Sequence, residues 1–222
     1  MADNRWRDYY LVLYQVAIAL GETLETRVVL ERLLRGVIEA LHLKGASIRL
    51  LTETGLLERV ASEGLTPGYL QKGPVEISRS PIDQQALAGQ PVQIEDVTTD
   101  PRFEYPQAAQ REGIVSAVFV PLIAQGKPIG VLRVYTGERR LFTQEELELL
   151  VALANLGALA IANARLYQFC VRDQQLAAEA LWSFRLPNEF LGGEGSGGIG
   201  DQGAGSRGTE ENAGQGAAGR ES

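Results

Sequence analysis

Apolar positions along this chain recur at two spacings, and the switch between them marks out its elements. Trp6, Tyr9, Tyr10, Leu13, Val16, Ala17 and Leu20 follow helical steps, forming one face of a helix that Asp3 or Asn4 opens and Gly21 closes. Val29, Leu30, Leu33, Leu34, Val37, Ile38 and Leu41 line a second helix over 26–41. The period then drops to two, and residues 46–51 and 56–62 read as a hairpin around Thr52-Glu53-Thr54-Gly55. Residues 112–135 hold a second hairpin, around which the rest of the chain is organised. There Val115, Ala117, Phe119 and Ile123 share one face and Val118, Val120 and Leu122 the other. A strand apolar on both sides belongs in the middle of a covered sheet. Gly126 supplies the positive φ of a tight turn, and Pro128 opens the returning strand. Gly130 leaves room for something packed closely against the sheet.

Between the hairpins the pattern is weaker. Residues 63–74 read as loop with one helical turn around Tyr69. Ser80-Pro81, with Asp83 three residues past the cap, opens a short helix that Gly89 ends. A short strand over 91–94, a turn-rich loop over 96–105 and a helix over 106–112 follow. Such a segment buries little of itself and is expected to lie as a lid over one sheet face. After the second hairpin, Thr143 and Glu146 form a capping box for a helix running to about Phe184. One stripe of that helix holds Leu147, Leu150, Val151, Ala154, Ala158 and Ile161; another, nearly opposite, holds Leu149, Leu153, Leu156, Ala160, Asn163 and Tyr167. One stripe can cover the sheet. The other needs the N-terminal helix, a second subunit, or both.

Composition narrows the function classes. A net charge of −7 argues against nucleic acid or an anionic membrane as principal partner. One Cys and one His give neither a disulfide framework nor a multi-ligand metal site. The first ten residues lack the basic-then-apolar order of a signal peptide, and the apolar run 149–164 falls short of bilayer length, so a cytoplasmic setting is expected. From Gly192 the chain is mostly Gly, Ala, Ser, Glu and Gln and is expected to be disordered. Its GSGGIG, 195–200, matches a dinucleotide fingerprint but has no strand before it and no helix after it. With no Walker loop, nucleophile elbow or Cys–His pair, no catalytic residue, metal ligand or cofactor is expected.

The order helix, helix, hairpin, crossing segment, hairpin, long helix carries the stretches ASIRLL, VASEGL, ALAGQPVQIEDVTTDPRF, EGIVSAVFVPL, GKPIGVLRVYTGERRLFTQEELELL and AIANARLY. From about Leu24 to Tyr167 it resembles a GAF domain, the small-molecule sensor module of signalling proteins. The resemblance implies an α+β fold, an α/β/α-like sandwich on a central antiparallel sheet of five or six strands. Helices, including the long C-terminal one, would cover one face, and the crossing segment with its short helices the other, over a ligand pocket. It divides the chain into an N-terminal dimerisation and signalling helix (1–21), the GAF domain (22–168), a helical, coiled-coil extension (169–190) and a Gly-rich tail (191–222). The function implied is that of a non-enzymatic sensor, binding an unidentified small molecule and signalling to a partner protein through its terminal helices as a dimer. The alternative is a dimerisation or docking module with a vestigial pocket. Several chemistries of the family are not matched. Bilin attachment uses a cysteine in or near the crossing segment, whereas Cys170 lies far down the last helix; sulfoxide reduction uses several cysteines; haem binding uses an axial His, whereas His42 ends the second helix. The Asn-Lys…Phe…Asp-Glu signature of cyclic-nucleotide binders is not found, and Asp100-Pro101-Arg102-Phe103 resembles the common GAF loop.

Two arginines stand out. Arg49 lies in the first strand and Arg133 in the last, and the family topology makes these strands neighbours. Alternation puts Gly130, Leu132 and Val134 on one face and Arg133 with Val131 and Tyr135 on the other, the pocket side if the Gly130 face packs on helices. Buried guanidinium groups need a counter-charge. It could come from Asp96, Asp100 or Glu104, or from an anionic ligand walled by Tyr69, Phe103 and Tyr105, with Val118 a further pocket candidate; exposure at the sheet edge is the third option. The opposed stripes of the last helix predict a parallel homodimer through Trp6, Tyr9, Leu13, Leu149, Leu153, Leu156 and Tyr167, unless the N-terminal helix covers the second stripe within one chain.

Overall fold

The computed structural model describes residues 2–23, 25–71, 73 and 75–183. The fold lies within one compact unit, Met1–Ala178; of a second unit, Glu179–Ser222, only the helical stretch to residue 183 is described, so the expected Gly-rich tail lies outside the described residues. Two helices open the chain, α1 (Ala2–Glu22) and α2 (Thr26–Leu41). The strands are β1 (Gly45–Leu51), β2 (Leu56–Glu63), β3 (Val75–Glu76), β4 (Val92–Ile94), β5 (Ser116–Ala124) and β6 (Lys127–Thr136). They form one six-stranded sheet in the order β3-β2-β1-β6-β5-β4, antiparallel throughout. Short helices α3 (Pro67–Leu70), α4 (Pro81–Leu87) and α5 (Pro106–Glu112) sit between the hairpins, and α6 (Gln144–Ser183) follows the sheet.

Local chemistry accounts for the element ends. The β5–β6 turn has both central residues at positive φ, Gln125 at 50° and Gly126 at 74°, the mirror-image turn whose twist suits a hairpin. The capping box of α6 is formed, with Glu146 N–H donating to the Thr143 hydroxyl and Thr143 N–H donating to the Glu146 carboxylate at 2.8 Å. Gly130 answers to its neighbouring strand, not to a layer above it: a Cβ there would lie 2.2 Å from the Arg49 carbonyl oxygen.

The sheet separates two cores. On one face Ala46, Ile48, Val118, Val120, Leu122, Leu132 and Val134 pack with Leu30, Leu33 and Leu34 of α2 and Leu150, Leu153 and Ala154 of α6. On the other, Ala117, Phe119, Val131 and Tyr135 pack with Tyr69, Ile82, Ala86, Val97, Phe103 and Ala109 from the lid. Gln144–Ala177 is long and apolar enough to cross a membrane on length and composition alone, yet its Leu149, Leu150, Leu153, Ala158 and Ile161 are buried in the fold.

The N-terminal helix departs from expectation. Its buried face is Tyr9, Val12, Val16 and Ala19, whereas Trp6, Tyr10 and Ala17 are exposed. Apolar and aromatic residues nearly encircle α1, so spacing alone did not fix which stripe turns inward. Val12 lies against Gly36 of α2, and Ala19 forms a small cluster with Val29 of α2 and Ala160 of α6. Tyr9 joins Leu149 and Leu153 in the helix-side core. Those three expected dimer-interface residues are thus enclosed by their own chain, because α1 and α2 already cover that part of the second stripe.

Candidate functional site

Arg133 on β6 and Arg49 on β1 both sit under the lid, on the face away from α2 and α6. Arg133 donates from Nη2 to Asp83 Oδ2 of α4 at 2.7 Å, and the two side chains are only 4% and 2% exposed. The Ser80 hydroxyl donates to the same Asp83 oxygen at 2.5 Å. The Arg133 guanidinium also stands 5.3 Å from the Phe119 ring centroid, a cation–π contact. Burial alone would depress its pKa, but Asp83 and Tyr135 outweigh that and the net direction is upward.

The counter-charge of Arg133 therefore comes from Asp83. It comes from none of Asp96, Asp100 or Glu104. Asp96 accepts from the N–H and hydroxyl of Thr98, and Asp100 pairs with Arg102 at 2.6 Å, contacts that hold both carboxyls below their ordinary pKa. Their spacing before and within α4 predicts helix-capping roles for Ser80 and Asp83. In the structure Ser80 caps no backbone N–H with its side chain, and Asp83 shares the buried stripe of α4 with Ile82 and Ala86. That stripe was the available signal, since a carboxylate beside two core residues has to meet a cation.

Arg49 is placed differently. Its Nη1 donates to the Leu57 carbonyl at 2.8 Å; among the described residues its Nε has no hydrogen-bond partner and no carboxylate lies within ion-pairing distance. Burial, then the Arg133 charge, push its pKa down. Next to this pair a void of about 20 Å³ is lined by Val75, Ser80, Ile82, Asp83, Phe103, Glu104, Tyr105, Phe119 and Arg133. That is room for about one water. Among the described residues, Asp83 Oδ1, Glu104 Oε2 and Arg133 Nε are buried there without a hydrogen-bond partner.

Tyr69 lines a second, larger cleft of about 360 Å³ with Thr66, Gly68, Ala108, Arg111 and Glu112. Its ring meets Tyr135 edge-on at 5.8 Å, and burial, followed by Tyr135, raises its hydroxyl pKa steeply. Glu112 ties α5 to α3, accepting from Thr66 N–H at 2.9 Å and from the Thr66 hydroxyl. Arg133, Phe103 and Tyr105 thus meet at the void, with Arg49 and Tyr69 beside it. Val118 does not join them: it points into the helix-side core, and Phe119, one residue on, takes the pocket face. Among the described residues no His, Cys, Asp and Glu cluster could hold a metal ion.

A family model for the GAF domain matches residues 23–162. The chain belongs to the GAF domain family. GAF domains are typically sensory or regulatory, and the curated relatives agree in kind. The Nif-specific regulatory protein of Azorhizobium caulinodans is 26% identical over 150 residues, covering 65% of this chain and 24% of that protein. Its namesake from Herbaspirillum seropedicae is 25% identical over 183 residues, covering 80% of this chain and 33% of that protein. The chain thus spans a third or less of the length of these relatives. Among solved structures, the GAF domain of a phosphoenolpyruvate-protein phosphotransferase from Coxiella burnetii superposes with a TM-score of 0.65 at 21% identity, covering 73% of this chain and 97% of that one. At that identity the likeness is one of fold. In this GAF fold the lid of α3, α4 and α5 covers the two arginines.

Proposed function

We propose that this GAF domain is a regulatory, non-catalytic module in the cytoplasm. It holds a small molecule bearing a carboxylate or phosphate under its lid and passes the bound state to a partner through α1 and α6 of a homodimer. The observation that carries the ligand reading is Arg49, a buried guanidinium that donates to the neutral Leu57 carbonyl and feels the charge of a second cation, Arg133. A buried charge so placed is costly unless something supplies the opposite sign. The dimer reading rests on apolar side chains left uncovered on both terminal helices: Trp6, Tyr10 and Tyr14 on α1, Leu166, Tyr167 and Phe169 on α6. The similarity to Nif-specific regulatory proteins supports regulation as the role, without extending to what those longer proteins control.

A second reading, a dimerisation or docking module whose pocket is vestigial, is favoured by two observations. The void is water-sized, and Arg133 is already paired inside the chain. The test joins native mass spectrometry of the purified chain to thermal shift with isovalerate, succinate and inorganic phosphate. A copurified small molecule, or a rise in Tm that Arg49→Leu abolishes, supports the sensor. An empty dimer whose Tm no anion moves supports the docking module.

A further inference from the structure

The lid pocket asks for more than an anion. Around the void the atoms without a hydrogen-bond partner among the described residues are of both kinds: Arg133 Nε is a donor, while Asp83 Oδ1 and Glu104 Oε2 are acceptors, and Arg49 Nε, off the lining but on the same sheet face, is a further donor. The four side chains, two guanidinium groups and two carboxylates, already balance in charge. A purely anionic ligand would satisfy the arginines and leave two carboxylate oxygens buried and unpaired; a simple amine would do the reverse. Either case costs free energy, because a polar atom left unsatisfied in the interior loses its hydration for nothing. A molecule with both charges satisfies all four and keeps the site neutral.

We propose that the ligand of this site is a zwitterionic amino acid, its ammonium seated between Asp83 and Glu104 and its carboxylate toward Arg49. This rests on the anion reading given above and adds the second charge. The void has the size of an ammonium head group, and on its wall the Ser80 and Tyr105 side chains are engaged with Asp83 and Glu104, the two carboxylates that would receive it. Val75, Ile82, Phe103 and Phe119 make the remaining wall apolar, which selects a short hydrocarbon side chain over a polar one. The void takes only the head group, so binding of the whole ligand requires residues 103–105 to withdraw from the sheet. Arg133 stays on Asp83 Oδ2 throughout and acts as a positioning residue, holding Oδ1 toward the void.

Three probes of nearly one shape separate the charges: L-valine, isovalerate (valine without its ammonium) and isobutylamine (valine without its carboxylate). Calorimetry and thermal shift on the full chain should show L-valine binding about tenfold or more tighter than either partner, the range expected for losing a charge-assisted hydrogen bond. Glu104→Gln should bring L-valine down to the level of isovalerate while leaving the Tm of the free protein unchanged or slightly raised, since it removes the charge of a half-buried carboxylate that has no ion pair among the described residues. Isovalerate binding as tightly as L-valine would overturn the zwitterion and leave the anion reading standing. Isobutylamine binding as tightly as L-valine would overturn the role given to Arg49. If L-valine and both fragments, together with succinate and phosphate, leave the protein unmoved, the void holds a water only and both readings fall. A Glu104→Gln protein that keeps its preference for L-valine likewise overturns the proposal.

Discussion

Arg133 and Asp83 are joined across fifty residues of chain, and each exists as a buried ion only because the other is there. Removing one partner strands the other in a low-dielectric interior, which typically costs about 3–5 kcal/mol, whereas replacing both with apolar side chains can be close to neutral. Arg133→Leu should therefore lower the urea midpoint sharply without any ligand present, and Arg133→Leu combined with Asp83→Leu should recover most of the loss. Two single-variant effects that simply add would show that the pair is not coupled. Arg49→Leu, which breaks no ion pair, should leave the free protein as stable or more so. The alternation of β6 was enough to say that Arg133 lies beside Val131 and Tyr135 and away from Leu132. It could not say which carboxylate meets it, because the partner is set by where α4 lands on the sheet. Strand period carries no information on that placement.

Elements fared according to how local their causes are. The capping box of α6 is written into four consecutive residues, and the two hairpins into alternation over whole strands, so both were legible. The β3 strand, Val75–Glu76, has two residues and hence no period to read; it exists because Leu56 and Leu57 offer it an edge. The register of β1 against β6 was equally hidden, and Gly130 shows what holds it. With the Arg49 carbonyl where a Cβ would go, Gly130→Ala must push the two strands apart. Overpacking of this kind costs about 1–3 kcal/mol. The expected result is a lower Tm with slower-folding or shifted β1–β6 pairing, read by hydrogen exchange at Ile48 and Leu132; protection unchanged from wild type would contradict it. Thr143→Ala should cost about 1 kcal/mol by denaturant unfolding, and it should fray only the first turn of α6.

At the scale of the whole molecule, burial divides α6 into two stretches. Up to Ile161 most of its apolar residues belong to the core, Leu159 being the exposed exception, and from Leu166 they face outward, with Phe169 70% exposed. Substitutions should follow that division. Leu153→Asp should unfold the protein, since it buries a charge among apolar neighbours. Leu166→Glu with Tyr167→Glu should leave the unfolding transition intact while light scattering shows a dimer becoming a monomer; a wild-type chain already monomeric at tens of micromolar would remove the dimer from the proposal.

The family boundary at residue 23 meets α1 in an unexpected way. Tyr9, Val12, Val16 and Ala19 are buried against the domain that this boundary delimits. The unit that the family model matches is consequently smaller than the unit that closes its own core. A protein engineer who cut at the match would expose a strip of α2 and α6 that had never met water. That fragment would gather with its own kind through the bare strip, and an aggregate could be mistaken for a native assembly. Grafting should carry α1 along with the domain, so that whatever is fused upstream pulls on a helix already seated in the core.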